Sequence, residues 1–329
     1  MPEAERDLER GNDIPVPDDD EYMTPGTPRI AVVIVTYNSA EVLGGCLRSL
    51  LDGSRGVRLE GVVVADNASK DDSLRIAEKA SGLPLQTVQL GRNAGYAAAV
   101  NAGVEALDIQ QLDAVFVINP DCRLHPGALA PLADALRQPG RGIAVPRLTN
   151  PDGSLQPSLR RTPTVRRALA EAVIGGDLAG RIGTLGELVT DPREYERPGA
   201  AAWATGAAML VSTDVIREIG PWDESFLLYS EETEFALRAA DRGWALWYEP
   251  ASVVEHIGGD SGVNPTLAAL LIVNKVKLFR RRRSTPAAFV YYLAVVLGEG
   301  LRALAGRRTS RASVVALLRP SRRLQKLAD

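Results

Sequence analysis

A chain of 329 residues, 45% hydrophobic and 24% charged, has room for one large α/β domain or two smaller ones, and its composition excludes wholesale disorder. Its two cysteines, Cys46 and Cys122, exclude a disulfide framework and a cysteine zinc site; they fit a reducing, cytoplasmic setting, and no basic-then-apolar signal sequence opens the chain. The net charge of −3 averages two opposed ends.

Residues 1–28 are acidic, rich in proline and poor in large apolar side chains, and are expected to be a disordered leader. Strand and helix then alternate. Ile30 to Thr36 reads as a strand and Ala40 to Leu51 as a helix. Gly61 to Ala65 is a second strand, leading to Asp66-Asn67 and a helix starting near Ser69, where Ser69 and Asp72 stand at capping-box spacing. Leu85 to Leu90 is a third strand, followed by Gly91-Arg92-Asn93-Ala94-Gly95 and a small-residue helix from Tyr96 to Leu107. The fourth, Ala114 to Ile118, is β-branched and aromatic and runs into Asn119-Pro120-Asp121. Repeated βα units with short connections predict a mostly parallel sheet covered on both faces.

After Pro146 the rhythm changes. Arg160 to Asp191 reads as a less regular insertion or flap. Ala207 to Val211 returns as a strand, Glu231 to Ala240 has helical spacing, and Trp244 to Tyr248 and Ser252 to Val254 read as two short strands, the last meeting His256. From Asn264 onward fourteen Lys and Arg face only Glu299 and Asp329. Within this basic tail Ala287 to Gly298 is the most apolar run, about a dozen residues, short of the roughly 18 expected of a spanning helix. Two readings stand equal: a helix lying in an anionic membrane interface, or a buried C-terminal helix with a solvated basic face. Nucleic acid is not expected, because interleaved aromatics and a recognisable binding motif are missing.

Thr36-Tyr37-Asn38, Asp66-Asn67, Arg92-Asn93 and Asn119-Asp121 all fall at carboxyl ends of strands, the edge where open α/β sheets bind ligands. No Gly-x-Gly-x-x-Gly follows the first strand, so a dinucleotide oxidoreductase loses its main support, and no phosphate-loop motif occurs, which removes the usual NTPase. Each piece has a bland alternative. Asn119-Pro120-Asp121 can be a plain turn, Tyr37 can pack, Asn38 can cap the next helix, Trp203 and Trp222 can be core, and His256 can be a hydrogen-bonded core histidine. His125 reads as a loop residue and Cys122 as a packed thiol.

Taken in order, Val35-Thr36-Tyr37-Asn38, Ala65-Asp66-Asn67-Ala68-Ser69, Arg92-Asn93-Ala94-Gly95-Tyr96 with Asn101, and Asn119-Pro120-Asp121 resemble glycosyltransferase family 2. So do Trp203-Ala204-Thr205-Gly206-Ala207, Trp222-Asp223-Glu224-Ser225-Phe226, Tyr229-Ser230-Glu231-Glu232 and His256-Ile257-Gly258-Gly259-Asp260-Ser261. The resemblance runs from about Arg29 to Ser261, and its nearest pattern is that of bacterial rhamnosyltransferases of cell-wall or O-antigen glycans.

The resemblance implies a GT-A fold, Rossmann-like with a mostly parallel central sheet and helices on both faces, over residues 29–262; outside it, residues 263–329 read from their own charge and apolar run as a basic helical C-terminal region. The resemblance also implies inverting, metal-dependent transfer from a nucleoside-diphosphate sugar, dTDP-rhamnose favoured, to a glycan or polyprenyl-diphosphate-linked acceptor, at the inner face of the cell membrane. Asp121 and His256 would hold Mg2+ or Mn2+, which neutralises a diphosphate leaving group. Asn119 stands where the family's metal motif often has Asp. Thr36, Tyr37, Asn38, Asp66, Asn67, Arg92, Asn93, Asn119 and Gly206 would line the nucleotide-sugar side; Trp203, Trp222 and Asp223 are acceptor-side candidates. Glu232 takes the place of the family's catalytic aspartate, with Glu231 orienting the acceptor or the loop and Glu234 standing where another Asp is usual. The competing class is a catalytically impaired relative that binds nucleotide sugar or scaffolds a membrane assembly.

Overall fold

The computed structural model describes residues 26–258 and 264–327. Residues 1–25 of the expected leader, the Gly259-Asp260-Ser261 end of the last motif, and the boundary expected at 262/263 lie outside the described residues. The elements in chain order are β1 (Arg29–Thr36), α1 (Ala40–Gly53), β2 (Arg58–Asp66), α2 (Ser73–Glu78), β3 (Leu85–Gln89), α3 (Tyr96–Glu105), β4 (Ala114–Ile118), β5 (Cys122–Leu124), α4 (Leu129–Leu136), β6 (Arg141–Thr149) and β7 (Leu159–Arg160). Then follow α5 (Val165–Ile174), α6 (Gly176–Arg181), β8 (Gly199–Ala201), β9 (Trp203–Ala204), β10 (Ala208–Ser212), α7 (Thr213–Ile219), α8 (Glu231–Asp241), β11 (Ala245–His256), α9 (Pro265–Arg282), α10 (Thr285–Leu304) and α11 (Arg308–Leu318).

The main sheet has the order β3-β2-β1-β4-β10-β6-β11-β5, with β8 on β11; β7 and β9 form a separate two-stranded ribbon. β3, β2, β1 and β4 are parallel, as the repeated βα units predict. β10 then runs antiparallel to both β4 and β6, while β6 and β11 are parallel to each other. Two reversals restore the direction, so β4 and β11 end at the same edge. That is why Asp121 and His256, far apart in sequence, meet.

Each central strand is buried on both faces, which explains its unbroken apolar run. One face carries Ile30, Val32, Ile34 and Phe116 against Leu43, Leu47 and Leu129 of α1 and α4. The other carries Ala31, Val33, Val35 and Val117 against Ala97 and Val100 of α3 and Phe235 of α8. A third cluster joins Ala168 of α5 to Val276, Phe279, Tyr291 and Leu317 of the C-terminal helices.

Several local expectations are corrected. The helix after β2 starts at Ser73, not near Ser69, and no capping box forms, because Ser69 bonds Asp66 and Ser73 bonds Asp71. The two short strands before His256 are one strand, β11, with a register shift between Glu249 and Val253. The insertion from Arg160 to Asp191 holds two helices, and the apolar run of about a dozen residues sits inside a 20-residue helix.

Candidate active site

A cavity of about 640 Å³ opens at the shared strand edge, and Asn119, Asp121, Gly206, Trp203, Glu231, Glu232 and His256 all line it. Asp121 follows β4 and His256 ends β11; Nε2 of His256 lies 3.4 Å from Oδ2 of Asp121. The His256 ring is aimed from behind, its Nδ1 2.6 Å from Oε1 of Gln156. The Gln156 amide nitrogen donates to the Asn150 side chain and the His256 carbonyl, so Oε1 faces the ring as acceptor, and Nδ1–H donates to it. Nε2 is thereby turned toward Asp121, the orientation a metal-ligating histidine adopts when its other nitrogen is held. Burial pushes the Asp121 carboxyl up, but the hydrogen bond and charge of His256 outweigh it and hold it below the usual range.

Cys122 Sγ also lies within 4.8 Å of these ligand atoms. Burial pushes its thiol well up, and it donates to the Ala207 carbonyl at 3.3 Å. It is a packed thiol. One carboxylate and one imidazole on the wall of an open cavity fit a divalent cation that keeps positions for phosphate oxygens.

Glu231 and Glu232 open α8 on another wall. Leu227, Tyr229 and Ser230 precede them in left-handed backbone, a conformation costing about 1–3 kcal/mol per residue and kept only where surroundings fix it. What fixes it is on α9. Asn274 Nδ2 donates to the carbonyls of Phe226 (2.7 Å), Leu228 (2.9 Å) and Tyr229 (3.2 Å). From the other side Tyr96 N donates to Leu227 O at 2.8 Å, and Gly95 is glycine because a Cβ there would collide with that same carbonyl.

Glu231 is buried, and its Oε2 has no hydrogen-bond partner. Burial, then the charge of Glu232, pushes its carboxyl well up. Burial also raises Glu232; backbone hydrogen bonds at the start of α8 and then the Arg160 cation offset part of that rise, and part of the residue stays exposed to the cavity. Both carboxyls are raised, Glu231 further than Glu232, so Glu231 is the member of the pair that holds its proton more tightly.

Other sequence candidates are placed differently. Asp66 is fully buried, accepting from Thr36 Oγ1 (2.9 Å), Ser69 N (2.9 Å) and Ser69 Oγ (2.5 Å). Asn67 clamps the loop before α3 by accepting from Ala94 N and donating to Gly95 O. Asn38, in left-handed backbone, caps no helix; it accepts from Lys70 N and its own N–H donates to Ser69 Oγ. These three, with Thr36, partly buried Tyr37, Arg92 and Asn93, form the adjoining strand-end rim and do not line the cavity. Trp222 does not line the cavity; it is core, stacked on Phe235 at 4.7 Å. Asp223 likewise turns away and pairs with Arg281 at 2.6 Å.

Sequence reasoning missed Arg160, Asn274 and Lys275, and gave Tyr96 only as part of a motif. Arg160 lies opposite Trp203 in the β7–β9 ribbon, its guanidinium 5.6 Å from the indole centroid. Lys275 shares a cavity-facing stripe with Leu267, Leu271 and Leu278, and bonds Glu187 (2.9 Å) and Glu171 (3.3 Å). A lysine inside that apolar stripe was the available signal.

A family model described as Glycosyl transferase family 2 matches residues 31–186. The chain is 31% identical over 249 residues to the N-acetylglucosaminyl-diphospho-decaprenol L-rhamnosyltransferase of Mycobacterium tuberculosis, a match spanning 73% of this chain and 80% of that protein. Among solved structures, the mannosyltransferase PcManGT from Pyrobaculum calidifontis in complex with GDP-Man and Mn2+ is similar at TM-score 0.55 and 17% identity, over 90% of this chain and 82% of that one. GalNAc-T7 with UDP, GalNAc and Mn2+ gives TM-score 0.57 and 17% identity, over 77% of this chain and 48% of that one. At such identity the likeness is one of fold, and that fold is GT-A.

Proposed function

The chain belongs to glycosyltransferase family 2, and on that premise we propose that it moves rhamnose, with inversion, from dTDP-rhamnose to a polyprenyl-diphosphate-linked N-acetylglucosamine acceptor. The rhamnosyltransferase named above supports the choice of donor and acceptor. A polyprenyl carrier keeps the acceptor at a membrane, so the enzyme works at that surface. The observation that carries the chemistry is the pairing of buried Glu231 with cavity-facing Glu232 in the same cavity as Asp121 and His256.

Glu232 takes the proton of the acceptor hydroxyl as that oxygen attacks the anomeric carbon from the face opposite the diphosphate. Glu231, protonated, keeps a second negative charge away from the base. Asp121 and His256 would hold Mg2+ or Mn2+, which when bound supplies charge neutralisation for the departing diphosphate. The Arg160 cation favours the Glu232 carboxylate and, with Trp203, presents a cation and an aromatic face on the acceptor side.

The test is release of dTDP from dTDP-rhamnose with manganese, with and without lipid-linked acceptor. Acceptor-stimulated release supports the proposal. Stimulation by another nucleotide sugar but not by dTDP-rhamnose overturns the sugar assignment and leaves the site intact.

A further inference from the structure

Helix α10 carries a stripe of large apolar side chains into solvent. Phe289, Val290, Leu293, Leu297, Leu301 and Leu304 are 43–86% exposed and recur at spacings that keep them on one side of the helix. The opposite side is committed to the fold. Ala288, Tyr291, Ala294, Val295, Gly298 and Glu299 are buried, Tyr291 stacks on Phe279 of α9 at 3.8 Å, and Gly298 sits against Ala172 of α5. Next to Ala172, Val173 is 71% exposed and continues the apolar surface. Scattered apolar residues on a surface are ordinary, whereas a contiguous band of this length marks an interaction face.

Charge at the ends of the stripe says which partner fits. Arg280 and Arg283 precede α10 and Arg307 and Arg308 follow it; all four are exposed, and none has a side-chain hydrogen bond or ion pair among the described residues. Glu299, the one acid among described residues 264–327, is buried and paired with Arg302 at 2.8 Å. Nothing in this region neutralises the end arginines. An apolar band bracketed by free guanidinium groups matches the layering of an anionic bilayer, with phosphates over acyl chains.

We infer that α10 lies in the plane of an anionic membrane, its stripe sunk between headgroups and its end arginines on lipid phosphates. The location rests on the lipid-linked acceptor proposed above; the geometry does not. At 20 residues, about 30 Å, the helix is long and apolar enough to span a bilayer by length and composition. Spanning would strip away the Phe279–Tyr291 stack and expose the Glu299–Arg302 pair to lipid, each unfavourable. A second copy seated stripe to stripe would bring arginine ends together with no acid to separate them.

The test is co-sedimentation of the full chain with phosphatidylcholine vesicles, with and without phosphatidylglycerol, alongside Leu293→Ser/Leu297→Ser and Arg307→Glu/Arg308→Glu. All four positions are exposed, so the variants should keep the wild-type circular dichroism. Wild type should bind only the anionic vesicles and come off as salt rises. Each double variant should bind at least about tenfold more weakly while hydrolysing dTDP-rhamnose in solution as wild type does. Equal binding by wild type and the leucine variant overturns the inference, as does wild type that ignores vesicles. Retention through an alkaline carbonate wash would show spanning and also overturns it. So does a dimer, seen by light scattering, that the leucine variant alone dissolves. Wild type that binds the anionic vesicles but does not hydrolyse dTDP-rhamnose counts against the sugar assignment only.

Discussion

In the proposed mechanism, two adjacent glutamates in one cavity divide their work by environment. Glu231 has an oxygen without any partner, which is tolerable for a buried neutral acid and costly for a buried carboxylate. Replacing it with glutamine keeps the neutral state, so Glu231→Gln should retain most of the turnover. Glu232→Gln removes the proton acceptor and should lower turnover by about 10² or more while donor still stabilises the protein against heat. Opposite behaviour of the two variants would move the base by one residue. Arg160 gives a second check through pH. The Glu232 carboxyl is raised above the ordinary glutamate range by burial, so activity should fall with decreasing pH earlier than a free glutamate would require. Arg160→Met removes the cation that favours the carboxylate, raises that carboxyl further and should shift the acidic limb of turnover to higher pH. A limb that stays put or moves to lower pH would contradict the role given to Arg160.

At the scale of elements, the catalytic turn depends on a helix outside the βα repeat. Asn274 of α9 faces three carbonyls of the strained segment 226–229. Asn274→Asp keeps the shape but points a carboxylate at carbonyl oxygens, and should cost about 1–3 kcal/mol in denaturant unfolding together with a loss of turnover. Unchanged stability and turnover would show that the turn is held elsewhere. Much of the sheet was readable in advance because doubly buried strands are written as β-branched runs: the ends at Thr36 and Ile118 were correctly bounded, while the second strand, expected over Gly61 to Ala65, runs from Arg58 to Asp66. Side-chain allegiance was not readable. Asp66, Asn67 and Asn38 have the residue types of a binding pocket but spend their hydrogen bonds on neighbouring loops. Trp222 and Asp223 fall in a family motif, yet one is core and the other an ion-pair partner of Arg281. Sequence spacing carries strand and helix period; it does not carry which partner a side chain meets across the fold.

For the whole molecule, the C-terminal helices and the GT-A sheet share one site. Leu267, Leu271, Lys275 and Leu278 of α9 line the cavity, and Lys275 ties it to Glu171 of α5 and to Glu187. The helix that lines the cavity is connected directly to the one that presents the apolar stripe, so the cavity wall and the proposed membrane face belong to one group of helices. The account stands or falls on whether Asp121 and His256 serve a divalent cation in sugar transfer. The direct measurement is acceptor-dependent release of dTDP from dTDP-rhamnose, titrated with manganese, for wild type and Asp121→Ala at matched circular dichroism. Wild type should be silent in chelator and saturate with manganese, and Asp121→Ala should stay silent at every manganese concentration. Full wild-type turnover in excess chelator, or an Asp121→Ala protein as active as wild type, would contradict it.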